Sequence, residues 1–373
     1  MVCDLVITDM PKPTRQNYSR RLDSLRRRMT AEDLDYILIT EPSQVRYLAG
    51  FSGSNALLLV GQQRAEFLTD PRYRTQAKSE VKVARVGVES GDLLDQLATL
   101  EVLKDKRRKI GYESHLISER RAQKLRSVLP LALWVGFDDL IAPLSQVKDP
   151  SEIAHIQEAA RIADRGLVRV MSLIKPGIRE RDIAAELEYQ MLMAGSERVA
   201  FDTIVASGPR SALPHGRASM RRIAKGDFIT LDFGATVNGY VSDITRTVVA
   251  GNPTPRQKRV YDLVYRAQAA ALRRARSGVS CADLDKAARS VITRAGQGKR
   301  FEHGLGHGIG LAVHEGPAVN SKSNTILKPG MVITIEPGVY YPGWGGVRIE
   351  DDIVITNGGH RVLTHSERSL VTL

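Results

Sequence analysis

Two stretches of this chain place an acidic residue inside an otherwise apolar strand, and their sequences are closely similar. One is Phe228-Ile-Thr-Leu-Asp232-Phe, and the other, 104 positions later, is Val332-Ile-Thr-Ile-Glu336-Pro. Carboxylates are almost never fully buried unless they are paired or bound to a metal. The fold must therefore bring partners to Asp232 and Glu336, which restricts the possible folds more than any other feature of the sequence.

The two strands belong to a longer internal repeat. Residues 174–195 align with residues 275–296 at an offset of 101, so that Gly177 matches Gly278. In each half, two helical patterns precede a β-hairpin. We interpret the repeat as a duplication, and we expect the two halves to pack as a mixed sheet flanked by helices around a pseudo-twofold axis.

The turn of the first hairpin fixes its register. Asn238-Gly239 is a strong signal for a two-residue turn, which places Asp232 opposite Thr245. Asp243 lies two residues before Thr245 and therefore on the same face as Asp232. Diagonal neighbours of this kind lie about 7–8 Å apart, a separation that suits two carboxylates converging on a metal ion.

The second hairpin returns with Arg348, Glu350 and Asp352 on one face of its strand. Its loop, residues 342–346, is irregular and leaves the register open. Arg348 could bind a substrate, or it could simply pair with Asp352. Four acids crowded together could share a proton, but divalent cations are the commoner solution.

A histidine- and glycine-rich segment supplies the remaining ingredient. It runs from His303 through His307 to His314, and four glycines fall between positions 303 and 310. Glycines free the backbone to bring His307 close to an ion. Imidazole with carboxylates suits Mn²⁺, Co²⁺, Fe²⁺ or Zn²⁺, and the oxygen-rich balance favours Mn²⁺.

The first part of the chain reads as a separate α/β domain, in which short apolar strands such as residues 36–39 and 56–60 alternate with helical stretches. The boundary falls where Asp149-Pro150 and Glu152 form a capping-box pattern at the start of a long helix. We therefore predict an N-terminal domain over residues 1–148 and a catalytic domain over residues 149–373.

Composition restricts the class of protein. A hydrophobic share of 42% and a charged share of 26% are globular values. No apolar run is long enough to cross a bilayer, and the start of the chain has no apolar core typical of a signal peptide, so we expect a cytoplasmic protein. Two cysteines, Cys3 and Cys281, make no disulfide framework.

The net charge of +12 divides into +4 for residues 1–149 and +8 for residues 150–373. The excess therefore looks thinly spread, and we expect solvated basic faces rather than a nucleic-acid partner.

The motifs resemble a known family. The chain is similar to the metallopeptidases of the pita-bread fold, which include methionine aminopeptidase, prolidase and aminopeptidase P. The matching stretches span residues 148–373 and are Ile204-Val-Ala-Ser-Gly-Pro-Arg-Ser-Ala-Leu-Pro-His215-Gly, Leu231-Asp232-Phe-Gly-Ala, Gly239-Tyr-Val-Ser-Asp243-Ile-Thr-Arg-Thr, His303-Gly-Leu-Gly-His307-Gly-Ile-Gly-Leu-Ala-Val-His314-Glu, Thr334-Ile-Glu336-Pro-Gly and Val347-Arg348-Ile-Glu350-Asp-Asp.

The first domain resembles the N-terminal domain of prolidase and aminopeptidase P through Tyr47-Leu-Ala-Gly-Phe-Ser-Gly-Ser and Thr69-Asp-Pro-Arg-Tyr73. Methionine aminopeptidases lack that domain, so the resemblance favours the proline-specific branch. It implies a creatinase/prolidase-type α/β domain followed by a pita-bread α+β domain.

The resemblance also implies roles for individual residues. Two divalent ions, Mn²⁺ by preference, would be held by Asp232, Asp243, His307, Glu336 and Glu350, with Asp243 and Glu350 bridging the ions. His215, His314 and Glu336 would be catalytic, and His303 and Arg348 would contact the peptide substrate. A homodimer is implied by the family alone.

We expect an Xaa-Pro aminopeptidase that releases the N-terminal residue from Xaa-Pro peptides. Residues 150–373 supply no dedicated extra cation beyond Arg348 to bind a substrate's terminal carboxylate, so longer peptides should be cleaved at least as well as dipeptides. The alternative is an Xaa-Pro dipeptidase, or prolidase. A catalytically inactive pita-bread binding module is a third hypothesis, against which the intact set of metal ligands argues.

Overall fold

The structure, a computed structural model, describes residues 13–104 and 107–373. Cys3 and most of the N-terminal segment lie outside the described residues. The described chain forms two compact units, which divide between Ser145 and Gln146.

The N-terminal unit is an α/β domain built on a six-stranded sheet. Its strands are β1 (Tyr36–Ile39), β2 (Ala56–Gly61), β3 (Ala65–Thr69), β4 (Arg85–Val88), β5 (Lys109–Glu113) and β6 (Leu133–Phe137), in the order β4-β3-β2-β1-β5-β6. Its helices are α1 (Arg15–Ala31), α2 (Pro42–Ala49), α3 (Arg74–Glu80), α4 (Leu93–Gln96), α5 (Glu119–Val128) and α6 (Ala142–Ser145). The strand predicted over residues 36–39 is confirmed, and the one predicted over residues 56–60 extends by a single residue.

The unit that begins at Gln146 contains the candidate catalytic residues and is called the catalytic unit. Four long helices belong to it. They are α7 (Pro150–Met171), α8 (Glu180–Met193), α9 (Pro255–Arg274) and α10 (Cys281–Arg294). The predicted capping box at Asp149 and Glu152 is present. A second capping box joins Thr254 and Gln257 at the start of α9. Each box satisfies backbone N–H groups that a helix start would otherwise leave unpaired.

The catalytic unit contains two larger sheets and two short ribbons. Its strands are β7 (Ile204–Ser207), β8 (Phe228–Phe233), β9 (Thr236–Val237), β10 (Tyr240–Val241), β11 (Ile244–Val249), β12 (Gly306–Gly308), β13 (Glu315–Val319), β14 (Val332–Ile335), β15 (Gly338–Tyr341), β16 (Gly345–Arg348), β17 (Asp351–Ile355) and β18 (His360–Val362). The sheets run β11-β8-β7 and β13-β12-β14-β17-β18, and the ribbons pair β9 with β10 and β15 with β16.

The pairs among these strands are antiparallel, whereas the sequence predicts a mixed sheet; the parallel pairing recorded in this unit is a bridge between Val249, at the end of β11, and Thr372. A tight turn such as Asn238-Gly239, between β9 and β10, can join only antiparallel neighbours, whereas parallel strands need a long crossover.

The duplication is visible in the backbone hydrogen bonds. The N–H of Gly177 donates to the carbonyl of Ile223, and the N–H of Gly278 donates to the carbonyl of Leu327, the positions that the repeat aligns. Gly177 and Gly278 also share a left-handed backbone, with φ of 97° and 85°. Only glycine adopts this conformation without strain, which explains why both copies keep it.

The surface charge is less evenly distributed than the sequence suggested. Residues 254–300 contain twelve basic and three acidic side chains, a net charge of +9. Eleven of the twelve basic side chains are exposed, mostly along α9 and α10. The expected thin spread is therefore wrong, because residues 254–300 hold most of the net charge of +12. Such a face attracts anions in a salt-dependent manner.

Within residues 13–104 and 107–373, no helix combines the length and the apolar character that a bilayer span requires.

Candidate metal centre

The first hairpin has the register that its turn predicts. Asn238 and Gly239 both have positive φ, 49° and 76°, as a two-residue hairpin turn demands. Asp232 on β8 lies opposite Thr245 on β11. Asp232 and Asp243 are both buried and line the same cavity, so the predicted shared face is confirmed.

The second hairpin brings its acids to the same cavity. β14 pairs with β17 so that Thr334 lies opposite Asp352. Glu336 and Glu350 both lie just beyond the same end of this ladder. The side chains of Glu336 and Glu350 line the cavity with Asp232 and Asp243. The three consecutive acids at 350–352 alternate in direction. Asp351 pairs instead with Arg246 at 2.8 Å.

His307 presents a free lone pair to these acids. Its Nδ1 lies 3.1 Å from the carbonyl oxygen of Gly308. A carbonyl can only accept, so Nδ1 carries the proton and Nε2 keeps its lone pair. That nitrogen lies 3.4 Å from Glu336 Oε1 and 3.8 Å from Asp243 Oδ2. The imidazole is oriented as a metal ligand requires.

Three of these side chains already have metal-site spacing. Ligand atoms of Asp243, His307 and Glu350 all lie within 4.8 Å of one another. Asp232 and Glu336 flank them in the same cavity. The structure thus brings together all five residues that the sequence named as ligands.

The protein's own cations do not balance the carboxylate charges of this cluster. Burial, reinforced by the charge of neighbouring acids, raises the pKa of Asp243 and of Glu350 well above the ordinary range. Burial raises the pKa of Glu336 to about 7. Burial also lowers the pKa of His307 to about 4, so the imidazole is neutral at pH 7 and its contacts with carboxylates are not ion pairs.

The donor set fits divalent metal. Oδ1 of Asp232 and Oδ1 of Asp243 are buried and have no hydrogen-bond partner within the described residues. Buried acceptors without partners are costly, and a cation placed among carboxylates and a neutral imidazole satisfies them together. A site of several carboxylate oxygens and one imidazole suits Mn²⁺ and the similar divalent metals Co²⁺, Fe²⁺ and Zn²⁺.

Arg348 is the principal cation inside this acidic site. Its guanidinium donates to Asp232 Oδ2, to Thr245 Oγ1 at 3.0 Å and to the hydroxyl of Tyr340 at 3.0 Å. A fourth bond, 3.1 Å long, reaches the carbonyl of Pro214. Arg348 thus pairs with Asp232 rather than Asp352, and one of its five N–H donors has no hydrogen-bond partner within the described residues.

His303, expected to contact substrate, has both ring nitrogens engaged. Nδ1 lies 2.7 Å from the carbonyl of Gly304, and Nε2 lies 2.9 Å from the hydroxyl of Tyr340. Nδ1 must donate to the carbonyl, so the Tyr340 hydroxyl donates to Nε2. Burial lowers the pKa of His303 to about 4. This neutral ring can touch a substrate only through its carbon atoms.

The other two histidines are placed differently. His215 and His314 line the cavity, and no hydrogen bond within the described residues occupies their ring nitrogens. The rings of His314 and His307 lie 4.4 Å apart. The cavity has a volume of about 490 Å³, within the usual range for small-molecule sites.

The sequence reasoning missed several residues of the site. Thr245 donates to Glu350 at 2.6 Å, and Thr334 accepts from the His307 backbone N–H and donates to Glu336. A threonine two positions before the strand acid recurs in both halves, a signal that could have revealed Thr334. Nothing comparable marked Tyr340, or Arg217 at the cavity wall.

A pocket in which buried carboxylates and a neutral imidazole converge, on a duplicated α+β fold, has the donor set of a metal-dependent hydrolase. The sequence comparisons give the same result. The model of metallopeptidase family M24 matches residues 154–357, and that of the creatinase/prolidase N-terminal domain matches residues 21–146. This chain belongs to metallopeptidase family M24, and the expected two-part, pita-bread architecture is confirmed.

Its relatives include proline-specific peptidases over nearly the whole length. The Xaa-Pro dipeptidase of Pyrococcus furiosus is 40% identical over 94% of this chain and 99% of its own. The structure of an Xaa-Pro dipeptidase from Bacillus anthracis is 39% identical, covers 96% of this chain and 100% of its own, and superposes with a TM-score of 0.93. That of an X-Pro aminopeptidase from Thermotoga maritima is also 39% identical, over 94% and 99% of the two chains, with a TM-score of 0.86.

We predict that Asp243→Ala and Glu350→Ala each lose bound metal, because each removes a carboxylate from the three-residue cluster. Metal bound per chain, measured after equilibration with Mn²⁺ and desalting, should fall in both variants. Asp202→Asn is the matched control, since Asp202 also lines the cavity but is exposed. Full metal content in both alanine variants would contradict the assignment.

We also predict that Mn²⁺ raises the melting temperature more at pH 8 than at pH 5.5. The pKa of Glu336 in the folded protein is about 7, above its ordinary 4.5. The free energy of unfolding of the metal-free protein therefore falls as the pH rises from 4.5 to 7, because the unfolded chain gives up this proton first. Above that window the buried Glu336 carboxylate is charged, and a bound metal ion offsets the cost of burying that charge. At 100 times Kd, binding stabilises by about 2.7 kcal/mol. An equal Mn²⁺-dependent shift at both pH values would contradict this.

Proposed function

We propose that this chain is an Xaa-Pro dipeptidase that hydrolyses the bond between an N-terminal residue and a C-terminal proline. The observation that carries the proposal is a single cavity that combines the carboxylate–histidine cluster with Arg217. The dipeptidases of Pyrococcus furiosus and Bacillus anthracis, similar along nearly their whole length, support it. The first expectation from the sequence, an aminopeptidase for longer peptides, is less well supported than its alternative.

Five residues would hold two divalent ions, with Mn²⁺ as the first candidate and Co²⁺, Zn²⁺ or Fe²⁺ as alternatives. These residues are Asp232, Asp243, His307, Glu336 and Glu350, of which Asp243 and Glu350 would be shared between the ions. When bound, such ions make water a nucleophile near neutral pH and polarise the scissile carbonyl.

The chain's own groups would move protons and stabilise charge. The Glu336 carboxylate accepts a proton from the attacking water and passes it to the proline nitrogen as the bond breaks. His314 and His215 have unoccupied ring nitrogens in the cavity, from which they donate to the carbonyl oxygen as it gains negative charge. Arg348 keeps Asp232 oriented throughout.

The cavity wall offers a basis for choosing proline. Phe201, Ile204 and Val313 line it with apolar surface that the pyrrolidine ring can cover. Proline supplies no N–H at the scissile bond. Binding a proline peptide therefore leaves no substrate donor at that bond without an acceptor.

Arg217 would distinguish a dipeptide from a longer chain. The sequence suggested no dedicated cation beyond Arg348, but Arg217 also lines the cavity and is a second candidate for that role. Arg217 is 81% exposed and pairs at 2.9 Å with Asp202, which is 71% exposed. Exposed pairs of this kind contribute little, so Arg217 can exchange Asp202 for the carboxylate of a terminal proline.

The second candidate is an Xaa-Pro aminopeptidase, which the similarity to the Thermotoga maritima enzyme favours. In that case the cavity would stay open beyond the proline, and Arg217 would face solvent beside a continuing peptide chain. An inactive binding module is the third hypothesis. The complete set of acids argues against it, because a module without catalysis has no need to bury them.

Substrate length separates these hypotheses. We predict that kcat/KM for an Xaa-Pro dipeptide exceeds that for the matching tripeptide and for the Xaa-Pro amide by about 10–100-fold. The amide has nearly the same size but lacks the carboxylate, and a charge-assisted hydrogen bond contributes about 1.5–3 kcal/mol. Arg217→Ala should remove most of this preference, whereas Arg217→Lys should retain part of it.

Equal or faster cleavage of the tripeptide, measured with Mn²⁺ present, would reject the dipeptidase and favour the aminopeptidase. No hydrolysis of any of the three substrates would leave the binding module.

A further inference from the structure

An ion pair outside the cavity holds the segment that carries His303 and leads to His307. Asp285 and Arg289 lie one turn apart on α10. The Asp285 carboxylate is fully buried and accepts two bonds from the Arg289 guanidinium, 2.7 and 2.8 Å long. A bidentate pair of this kind fixes the orientation of both side chains.

Further hydrogen bonds of the pair go to the backbone of residues 301–305. Arg289 donates to the carbonyl of Phe301 at 2.8 Å and to that of His303 at 2.7 Å. Asp285 accepts from the N–H of Leu305 at 3.2 Å. Three alternate residues of one segment are thus held by two side chains.

The same pair also orders the rings. The guanidinium of Arg289 lies 4.1 Å from the centre of the Phe301 ring. The Phe301 ring packs edge to face on that of His303, with centres 5.0 Å apart. Arg289 therefore contacts His303 directly, through a hydrogen bond to the His303 carbonyl, and indirectly, through the Phe301 ring that packs on the imidazole.

This segment needs external support because its own sequence provides little. Glycines at alternate positions from 304 to 310 raise the entropy lost when the backbone is ordered. Gly306 cannot be replaced, since a Cβ there would lie 2.2 Å from the carbonyl oxygen of Thr334. Close packing thus requires glycine, and another element must fix the backbone.

The duplication offers an internal comparison. The repeat aligns Asp285 and Arg289 of α10 with Ala184 and Glu188 of α8, which cannot form such a pair. The first half has no glycine-rich histidine segment either. The ion pair occurs only in the half of the molecule where a flexible segment must be held.

We propose that Asp285 and Arg289 are positioning residues that act on the active site through His303, and that fix the approach of the chain to His307. The substrate measurements below rest on the proposed function, whereas the hydrogen-exchange measurement does not.

Arg289→Ala tests the proposal in metal-free protein. Amide hydrogen exchange at Leu305 and His307 should accelerate by about tenfold or more, while exchange in the N-terminal unit stays unchanged. Arg26→Ala is the matched control, because Arg26 likewise pairs with an acid on its own helix, Asp23, and donates to a carbonyl, that of Gly61. This control should leave residues 301–308 unaffected.

A double-mutant cycle distinguishes positioning from general destabilisation. Arg289→Ala should lower kcat/KM by about 10²-fold, the size of effect expected when active-site groups shift by about 1 Å. If Arg289 acts through His303, the Arg289→Ala/His303→Ala double variant should lose little more than the worse single variant. The cycle with His215, which another loop carries, should be closer to multiplicative.

Arg289→Lys and Asp285→Asn serve if the alanine variant fails to fold. Lysine keeps the charge but cannot span both carbonyls and the carboxylate, so we expect an intermediate loss. Unchanged exchange at Leu305 and His307 in a folded variant would overturn the proposal, as would losses that multiply in the His303 cycle. If the unmodified protein cleaves no Xaa-Pro peptide, the proposed function fails, and hydrogen exchange still decides the role of the ion pair.

Discussion

The repulsion among buried carboxylates is the constraint on which the rest of the catalytic unit depends. Asp232, Asp243, Glu336 and Glu350 share one cavity, and Arg348 is the buried cation beside them. Carboxylates that lie close together in a low-dielectric interior raise one another's pKa. A fold that keeps such a cluster must offset this cost, and divalent metal does so while providing the chemistry of a family M24 peptidase.

Duplication explains how the cluster is assembled. Each half contributes a strand acid and an acid from the returning strand, so two similar hairpins meet across one cavity. The halves then diverge in what they add. The first supplies His215 and Arg217 at the cavity wall, and the second supplies His303, His307 and His314. The ion pair on α10 belongs with this second set, because only that half has a glycine-rich segment to hold.

Much of this site could be predicted from the sequence, for physical reasons that are local. The Asn238-Gly239 turn fixes the register of the first hairpin, and with it the shared face of Asp232 and Asp243. The contacts that were missed depend on tertiary packing. Arg348 pairs with Asp232, 116 positions away, and Tyr340 contacts His303, 37 positions away. No local pattern indicates such contacts, nor does any predict that Arg217 faces the cavity.

We propose that these five residues form a two-metal centre, and anomalous diffraction from crystals grown with Mn²⁺ can show it. Two anomalous peaks are expected about 3.5–4 Å apart. Carboxylate oxygens of Asp243 and Glu350 should contact both peaks, and Nε2 of His307 should contact one. No peak in the cavity, or a single ion that touches neither Asp243 nor Glu350, would show that these residues do not form a two-metal centre.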